Sequence, residues 1–573
     1  MERWLVDNDP STRYPVYTRG NIGEVFPLPV TPLTWTFGAI PCSEQGWRDA
    51  FERYGAFDRA EFSDDSIEIL GCFGGYGYLN VSISRILGVR TPGLTPEQVD
   101  YSFWGEMTGV PPYAPLPTDE SAAHAERIQR TVDWIFSAPE LTELVDDQRA
   151  MAALRAARPD LSAMTNVEII DAQRALVPEL RRLFGEHLYI SYCALVPVGV
   201  IAGVCQALGD PTMAMRLCAG LGGVDSAAPS TAMWKLGRLA AASEPLSAAF
   251  SAGVEGLLAR LGAAGGPDAE GFRSGFEAFL YEYGSRGPNE WESSSPSWET
   301  HPELALAAID RMRVTPEAAS PDAQHGRLAA DREALGAELL AKLEGDPETQ
   351  GQLAGALAAA KVFLPGRERS KTNVIRLVNE FRMIFNEIGR RMVDAGVMAR
   401  PQDISMLMEH ELDPFLASPE SFRQVIAERA AAYATLFELE PPFVIAGDVP
   451  PLSSWARRDR PVARAAPGSV LTGIPGCPGR ARGRARVILD PADPLALEPG
   501  DVLVAPITDP AWTPLFVPAA AVVVDVGAQM SHAVIVSREL GIPCVVSVTD
   551  ATRKICDGAM LDVDGTAGVV TLL

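Results

Sequence analysis

His532 is preceded by Ser531 and followed by a short apolar run that ends at Gly541 and Pro543. Serine is a strong N-cap, glycine supplies a left-handed stop and proline prevents continuation, so a helix is expected over 532–540 with the imidazole in its first turn. Backbone N–H groups and the helix dipole favour an anion there, so a phosphoryl group carried on His532 would lie in that field, with Ser531 a candidate phosphate contact. Thr508, in "VAPITDPAWTPLF", follows a strand-like run and is turned by Asp509-Pro510. It is expected on a loop at the same carboxyl end of a sheet, where its hydroxyl could bond the same phosphoryl oxygens. On spacing alone, a helix-end histidine and a turn threonine without chemistry fit equally well.

A second group of polar residues lies on a helix. Val374, Leu377, Val378, Phe381, Ile384, Phe385, Ile388 and Met392 form one apolar stripe at helical spacing. Extending that helix back to Pro365-Gly366 puts Arg367 and Lys371 on the same stripe and Glu368 off it. Either the helix overhangs its core by a turn, or the stripe leads into a pocket where the cations hold anionic oxygens. Lysine occurs only five times in the chain, against forty-four arginines, which makes Lys371 an uncommon choice.

The elements that must position these residues fall into two styles of sequence. Residues 1–115 are rich in Pro, Gly and aromatics and read as loops and short strands, and 116–445 carry helical spacing in Ala-, Leu- and Arg-rich text. Together, 1–445 form a mainly helical domain. A Pro- and Arg-rich stretch, 446–469, reads as a linker. Beyond it, "DVLVA" (501–505), "AVVVD" (521–525), "CVVSV" (544–548) and "LDVDG" (561–565) are short β-branched runs separated by turn or helix signals. The fold class is therefore multidomain, α plus α/β, with a large helical domain followed by a small α/β domain at 470–573.

Composition narrows the function classes. Of 573 residues, 49 are Lys or Arg and 74 are Asp or Glu, a net charge of −25 that repels polyphosphate, so no nucleic-acid partner is expected. Eight scattered cysteines without a C-x-x-C pair point to reduced thiols in a cytoplasmic protein and to no metal site. The uncharged stretch Leu188–Gly209 has the length of a membrane span, but Pro197, Gln206 and the lack of flanking cations favour a buried helix pair, and no membrane partner is expected. No Gly-Lys pair exists, so the glycines of "GCFGGYGYLN" (71–80) make no phosphate loop. Tyr78 there and Trp35 in "TPLTWTF" are candidates to line a pocket for a large apolar substrate, with core packing as the alternative.

"GAQMSHAVIVSRELGIPCVVSV", with "PGDVLVAPITDPAWTPLF" before it and "DGAMLDVDGTAGVV" after it, resembles the phosphohistidine swivelling domain of the PEP-utilising enzyme family. The resemblance implies that His532 is the phosphorylated residue and that Thr508 and Arg538 serve the phosphate. "NIGEVFPLPVTPLTWTFG" (21–38), "YEYGSRGPNEWESSSPSW" (281–298) and "RERSKTNVIRLVNEFRMIFNEIGRRMVDAGVMARPQDISML" (367–407) resemble the substrate domain of the rifampin phosphotransferases. That likeness implies an R-E-x-x-K site of Arg367, Glu368 and Lys371, with Glu368 as base toward a hydroxyl and the cations offsetting transition-state charge. It also makes Glu24 and Arg286 candidate substrate contacts. Relatives carry "YGHRG" where this chain has "YGSRG", so Ser285 replaces a histidine. Relatives also carry an ATP-grasp domain or a PEP-binding barrel, and no such segment occurs in this sequence. The expectation is a phosphotransferase component with no directly bound cofactor, charged by a separate ATP-grasp (Mg-ATP) or PEP-binding subunit and delivering phosphate to a small-molecule hydroxyl. The alternative is a nucleotide-independent lyase, cyclase, isomerase or binding protein that uses the substrate pocket without phosphorylation.

Overall fold

The computed structural model describes residues 3–104, 109–225, 227–490, 497–509, 512–527 and 531–573. The chain divides into two compact units. Unit 1 comprises residues 1–194, 291–295 and 369–461, and unit 2 comprises 195–290, 296–368 and 462–573.

Unit 1 contains β1 (Val16–Thr18), β2 (Leu70–Phe73), β3 (Tyr76–Asn80), β4 (Leu439–Glu440), β5 (Val444–Ala446) and β6 (Ala456–Arg457). An antiparallel sheet runs β2-β3-β1-β5, and β4 pairs with β6. Gly74 and Gly75 form the tight β2–β3 turn with φ of 58° and 79°, a conformation glycine adopts without strain. The stretch expected to be a linker is built into this unit as far as Pro461. Leu452 and Trp455 are buried with Tyr17, Phe73, Tyr76 and Tyr78 in one aromatic core, so prolines here shape a packed crossing rather than an extended tether.

Residues 32–54, expected as loop and strand, are a continuous helical run: Pro32–Thr34, a π-helical stretch Trp35–Glu44, and Gln45–Tyr54. Thr31 caps it and Pro32 occupies the first turn, where a missing N–H is harmless. The wide π geometry accommodates Pro41, and it also blurs the 3.6-residue period by which a helix is recognised.

Two long helices contribute to both units. Asn166–Ala207 is one continuous helix of 42 residues, not the helix pair expected, and Pro197 lies within it. By length and composition it could cross a bilayer, and half of its most apolar window is buried within the protein. Pro347–Asp394 carries the R-E-x-x-K motif. It begins eighteen residues before Pro365, passing through that proline instead of starting at it. The apolar stripe from Val374 to Met392 is buried throughout, as its spacing requires.

Unit 2 holds β7 (Val470–Thr472), β8 (Ile474–Cys477), β9 (Arg480–Val487), β10 (Val502–Ala505), β11 (Ala521–Val524), β12 (Cys544–Val546), β13 (Met560–Asp564) and β14 (Val569–Leu572). They form one sheet in the order β7-β14-β13-β9-β10-β11-β12-β8, with β9 through β12 parallel at its centre. Side chains alternate between two cores, as strand geometry dictates. Val502, Val504, Ala521 and Val523 face one core, and Leu503, Ala505, Val522 and Val524 face the other. The second core is shared with helices Ala228–Ala242, Pro267–Tyr283 and Pro302–Val314 through Met233, Phe272 and Ile309. The α/β part and these helices are thus packed on one another within the unit.

Candidate phosphoryl-carrier site

β10 and β11 are parallel neighbours, and the loops at their carboxyl ends carry Thr508 and His532. The helix that begins at His532 spans His532–Leu540. Ser531 caps it, its hydroxyl accepting the Val534 N–H at 3.3 Å, and Gly541 stops it at φ 63°. The caps are where local chemistry places them. Ser531 is buried and its oxygen is engaged with the helix. Thr508 Oγ1 lies 3.1 Å from His532 Nδ1. Thr513, which spacing did not single out, places Oγ1 3.1 Å from Nε2. Phe516 meets the ring edge-on at 5.9 Å between centroids. Both ring nitrogens thus face hydroxyls in a half-buried setting at a helix N-terminus.

Arg538 lies in the last turn of the same helix, six residues or about 9 Å along the axis from His532. Among the described hydrogen bonds none joins it to His532, Thr508 or Thr513. Beside it, Glu539 is buried, and burial raises its carboxyl to about 7, with Arg538 and Arg332 opposing the shift and Glu368 adding to it. His325 Nδ1 lies 3.9 Å from Glu539 Oε2.

The loops around His532 are braced from behind. Asp525, at the end of β11, accepts the Thr552 N–H at 2.8 Å and its hydroxyl, and burial raises its carboxyl to about 7. Ser547 donates its hydroxyl to the Gly527 carbonyl at 2.6 Å. Among the described residues three non-glycines have positive φ: Asn289 (49°), Ser547 (55°) and Asp550 (59°). Ser547 holds Gly527, Asp550 begins the turn of helix that holds Asp525, and Asn289 binds Asp509. Such conformations persist where surrounding contacts over-determine them.

That third contact ties the second motif to the loop that carries Thr508. The Asn289 N–H donates to Asp509 Oδ2 at 2.6 Å, next to Thr508. Within the motif, Trp298 N–H donates to the Arg286 carbonyl and Glu299 N–H to the Gly284 carbonyl, both at 2.8 Å. A Cβ on Gly287 would lie 2.5 Å from the Pro296 carbonyl oxygen, so this close approach requires glycine. Arg286 Nε is 3.3 Å from Glu290 Oε2, and both side chains are buried, as is Ser285. Arg286 is therefore held as a buried ion pair.

The third motif is divided between the units. In unit 2, Arg367 Nη1 lies 2.5 Å from Glu368 Oε1, so the carboxylate expected to be a base is paired with its neighbour. In unit 1, Lys371 Nζ is 6.0 Å from the Trp291 ring centroid. His187 stands 5.8 Å from the same ring and shares a 3.0 Å hydrogen bond between Nδ1 and Ser370 Oγ. His187 was not singled out by its surroundings in sequence.

The other expected substrate contacts are placed differently. Glu24 lies half-buried in the short helix Ile22–Val25. Trp35 and Tyr78 are fully buried in unit 1, and Tyr78 donates its hydroxyl to the Pro442 carbonyl at 2.7 Å. Burial pushes that phenol well above its ordinary range. Both aromatics are core residues, the alternative that composition had left open. Among the described residues no group of three or more His, Cys, Asp or Glu is arranged to hold a metal ion.

Two segments of the chain match known family models. Residues 187–368 match the rifampicin phosphotransferase fourth domain, and residues 497–568 match the mobile domain of PEP-utilising enzymes. Over residues 497–568 the chain is thus similar to the PEP-utilising enzymes, and over residues 187–368 to rifampicin phosphotransferase. It is 32% identical over 289 residues to rifampicin phosphotransferase of Streptomyces sviceus, covering 50% of this chain and 32% of that protein. The Bacillus subtilis enzyme of the same name is 32% identical over 238 residues, 41% of this chain and 27% of the relative. An uncharacterized protein of Mycobacterium tuberculosis is 39% identical over 215 residues, 38% of this chain and 24% of its own length. The matches thus cover about a third or less of these relatives.

Proposed function

We propose that the chain is the carrier and acceptor-binding component of a phosphotransferase working in the cytoplasm. His532 receives a phosphoryl group from a separate ATP-grasp or PEP-binding subunit and delivers it to a hydroxyl of a small, apolar or aromatic molecule. The observation that carries this reading is the setting of His532: a half-buried imidazole at a helix N-terminus, with a hydroxyl 3.1 Å from each ring nitrogen. Phosphoryl transfer asks a protein chiefly for positioning and charge stabilisation, which this arrangement offers. On the acceptor side, Arg367 and Lys371 are the candidate cations to offset charge, and the name of the relatives suggests a rifamycin as a first acceptor probe.

The test is a chase. The chain is charged with cell extract and radiolabelled ATP, or separately PEP, repurified, and mixed with rifampicin and a panel of phenols. Label should pass from protein to an organic product, and the His532→Asn variant should yield none. A product formed without nucleotide or PEP that survives His532→Ala would contradict the reading and favour a lyase, cyclase or isomerase.

A further inference from the structure

Unit 1 contains three histidines, at 124, 187 and 410, and one of them stands beside the lysine of the R-E-x-x-K motif. His187 lies in the helix Asn166–Ala207 and Lys371 in Pro347–Asp394. Where they meet in unit 1 the two helices run antiparallel: Arg391 Nη1 donates to Asn166 Oδ1 at 2.8 Å, and His187 Nδ1 lies 3.0 Å from Ser370 Oγ. Ser370 directly precedes Lys371. The His187 ring and the Lys371 ammonium also meet the same indole, 5.8 and 6.0 Å from the Trp291 centroid. Phe184, one turn before His187, stacks on that indole at 5.5 Å. An imidazole and a cation are thus fixed around one aromatic platform, with His187 only 8% exposed.

These groups differ in what they can do with a proton. An ammonium has three donors and no lone pair, so Lys371 can offset negative charge and cannot act as a base. In unit 2, Glu368 is engaged by Arg367, so its oxygens are committed to a cation. Imidazole is the side chain best matched to proton transfer near neutral pH. With the Nδ1–H donated to Ser370, the ring is held in one orientation and its lone pair is on Nε2. The charge adjacent on its own helix, Glu186, is paired with Arg53 of the helix Gln45–Tyr54, and the charge from the facing helix is Lys371.

Resting on the reading of the chain as the acceptor-binding component, we propose that His187 is the catalytic base toward an acceptor hydroxyl bound beside Lys371. The acceptor oxygen forms the new O–P bond as the N–P bond of phosphorylated His532 breaks, and that electron pair returns to the His532 ring. The acceptor's proton passes to His187 Nε2, and the imidazolium releases it to solvent after the product leaves. Lys371 stays protonated throughout and offsets charge on the phosphoryl oxygens.

The test follows delivery of label from the charged full chain to rifampicin and the panel of phenols, between about pH 5 and about pH 8, where imidazole titrates. His187→Gln keeps a donor for Ser370 and removes the base. It should load His532 as wild type does, hold the wild-type thermal midpoint and deliver phosphate at least about a hundredfold more slowly, the scale of general-base catalysis. Wild-type delivery should rise with pH as the imidazole loses its proton, and His187→Gln should lack that rise. Added imidazole should speed His187→Ala and leave His187→Gln unchanged. Delivery by His187→Gln at the wild-type rate, or slowed delivery that keeps the wild-type pH dependence, overturns the proposal and leaves the acceptor-binding reading in place. Unfolding of both variants does the same, because it assigns His187 to the core. A wild type that never loads, or that keeps its label with every acceptor, overturns the acceptor-binding reading, and the role of His187 falls with it.

Discussion

The backbone N–H of Asn289 is hydrogen-bonded to the Asp509 carboxylate at 2.6 Å, joining the "YGSRGPN" motif to the loop that presents Thr508 to His532. Asn289 reaches this position with a φ of 49°, which glycine adopts freely and other residues rarely. Asp509→Ala leaves a buried N–H without its acceptor, which costs about 1–3 kcal/mol. The expected result is a lower urea midpoint for unit 2 and faster amide exchange in residues 505–516. Asn289→Gly should retain the bond and the midpoint, and Asn289→Val should not.

Glu539 predicts a pH dependence of stability. Its carboxyl is raised to about 7 in the folded protein from an ordinary 4.5, chiefly by burial. A group whose folded pKa is raised binds its proton more tightly in the native state, so its contribution is fully present below about pH 4.5 and lost as pH rises through 7. Unit 2 should lose stability on the order of a few kcal/mol between those limits, with Asp525, also raised to about 7, acting in the same direction. Glu539→Gln should remove about half of that slope in denaturant titrations run from pH 5 to pH 8. An unchanged slope would mean that Glu539 is ionised at little cost.

Ser531→Ala removes the cap of helix His532–Leu540 and should cost about 1 kcal/mol, read as a lower thermal midpoint. Ser531→Asp should retain the cap and the midpoint. Because it sets a negative charge next to His532, it should load phosphate more slowly than wild type, which separates stability from carrier function.

Lys371→Met should leave labelling of His532 unchanged and slow delivery to the acceptor about a hundredfold, the usual scale for losing one donor to transition-state charge. The chase to rifampicin reads both quantities in one experiment. Loss of His532 labelling in Lys371→Met would instead assign the lysine to charging.

Much of the structure around His532 was legible from sequence because its determinants are local. Ser531 and Gly541 mark both helix ends through their own backbone chemistry, and β10 and β11 show as β-branched runs at a spacing that leaves room for one crossover helix each. The stripe from Val374 to Met392 gave a buried face by the same logic. What was hidden depends on contacts distant in sequence or on geometry outside the usual periods. Thr513 reaches His532 only after a turn that spacing does not reveal, and Asn289 and Asp509 lie 220 residues apart. His187 meets Ser370 across 183 residues. The helix over 32–54 was masked by its π-helical stretch and Pro41, and Pro365 looked like a helix start because one proline inside a long helix leaves a local signature identical to an N-terminus.

The central claim is that His532 carries phosphate, and the most direct measurement is the site of the label. After incubation with extract and radiolabelled ATP or PEP, the full chain is digested under alkaline conditions, where phosphohistidine survives, and its peptides are mapped. One phosphoryl group per chain is expected, on the peptide containing His532, stable to base, lost in acid and absent from His532→Asn. Equal labelling of His532→Asn, or a label confined to another residue, would contradict the account.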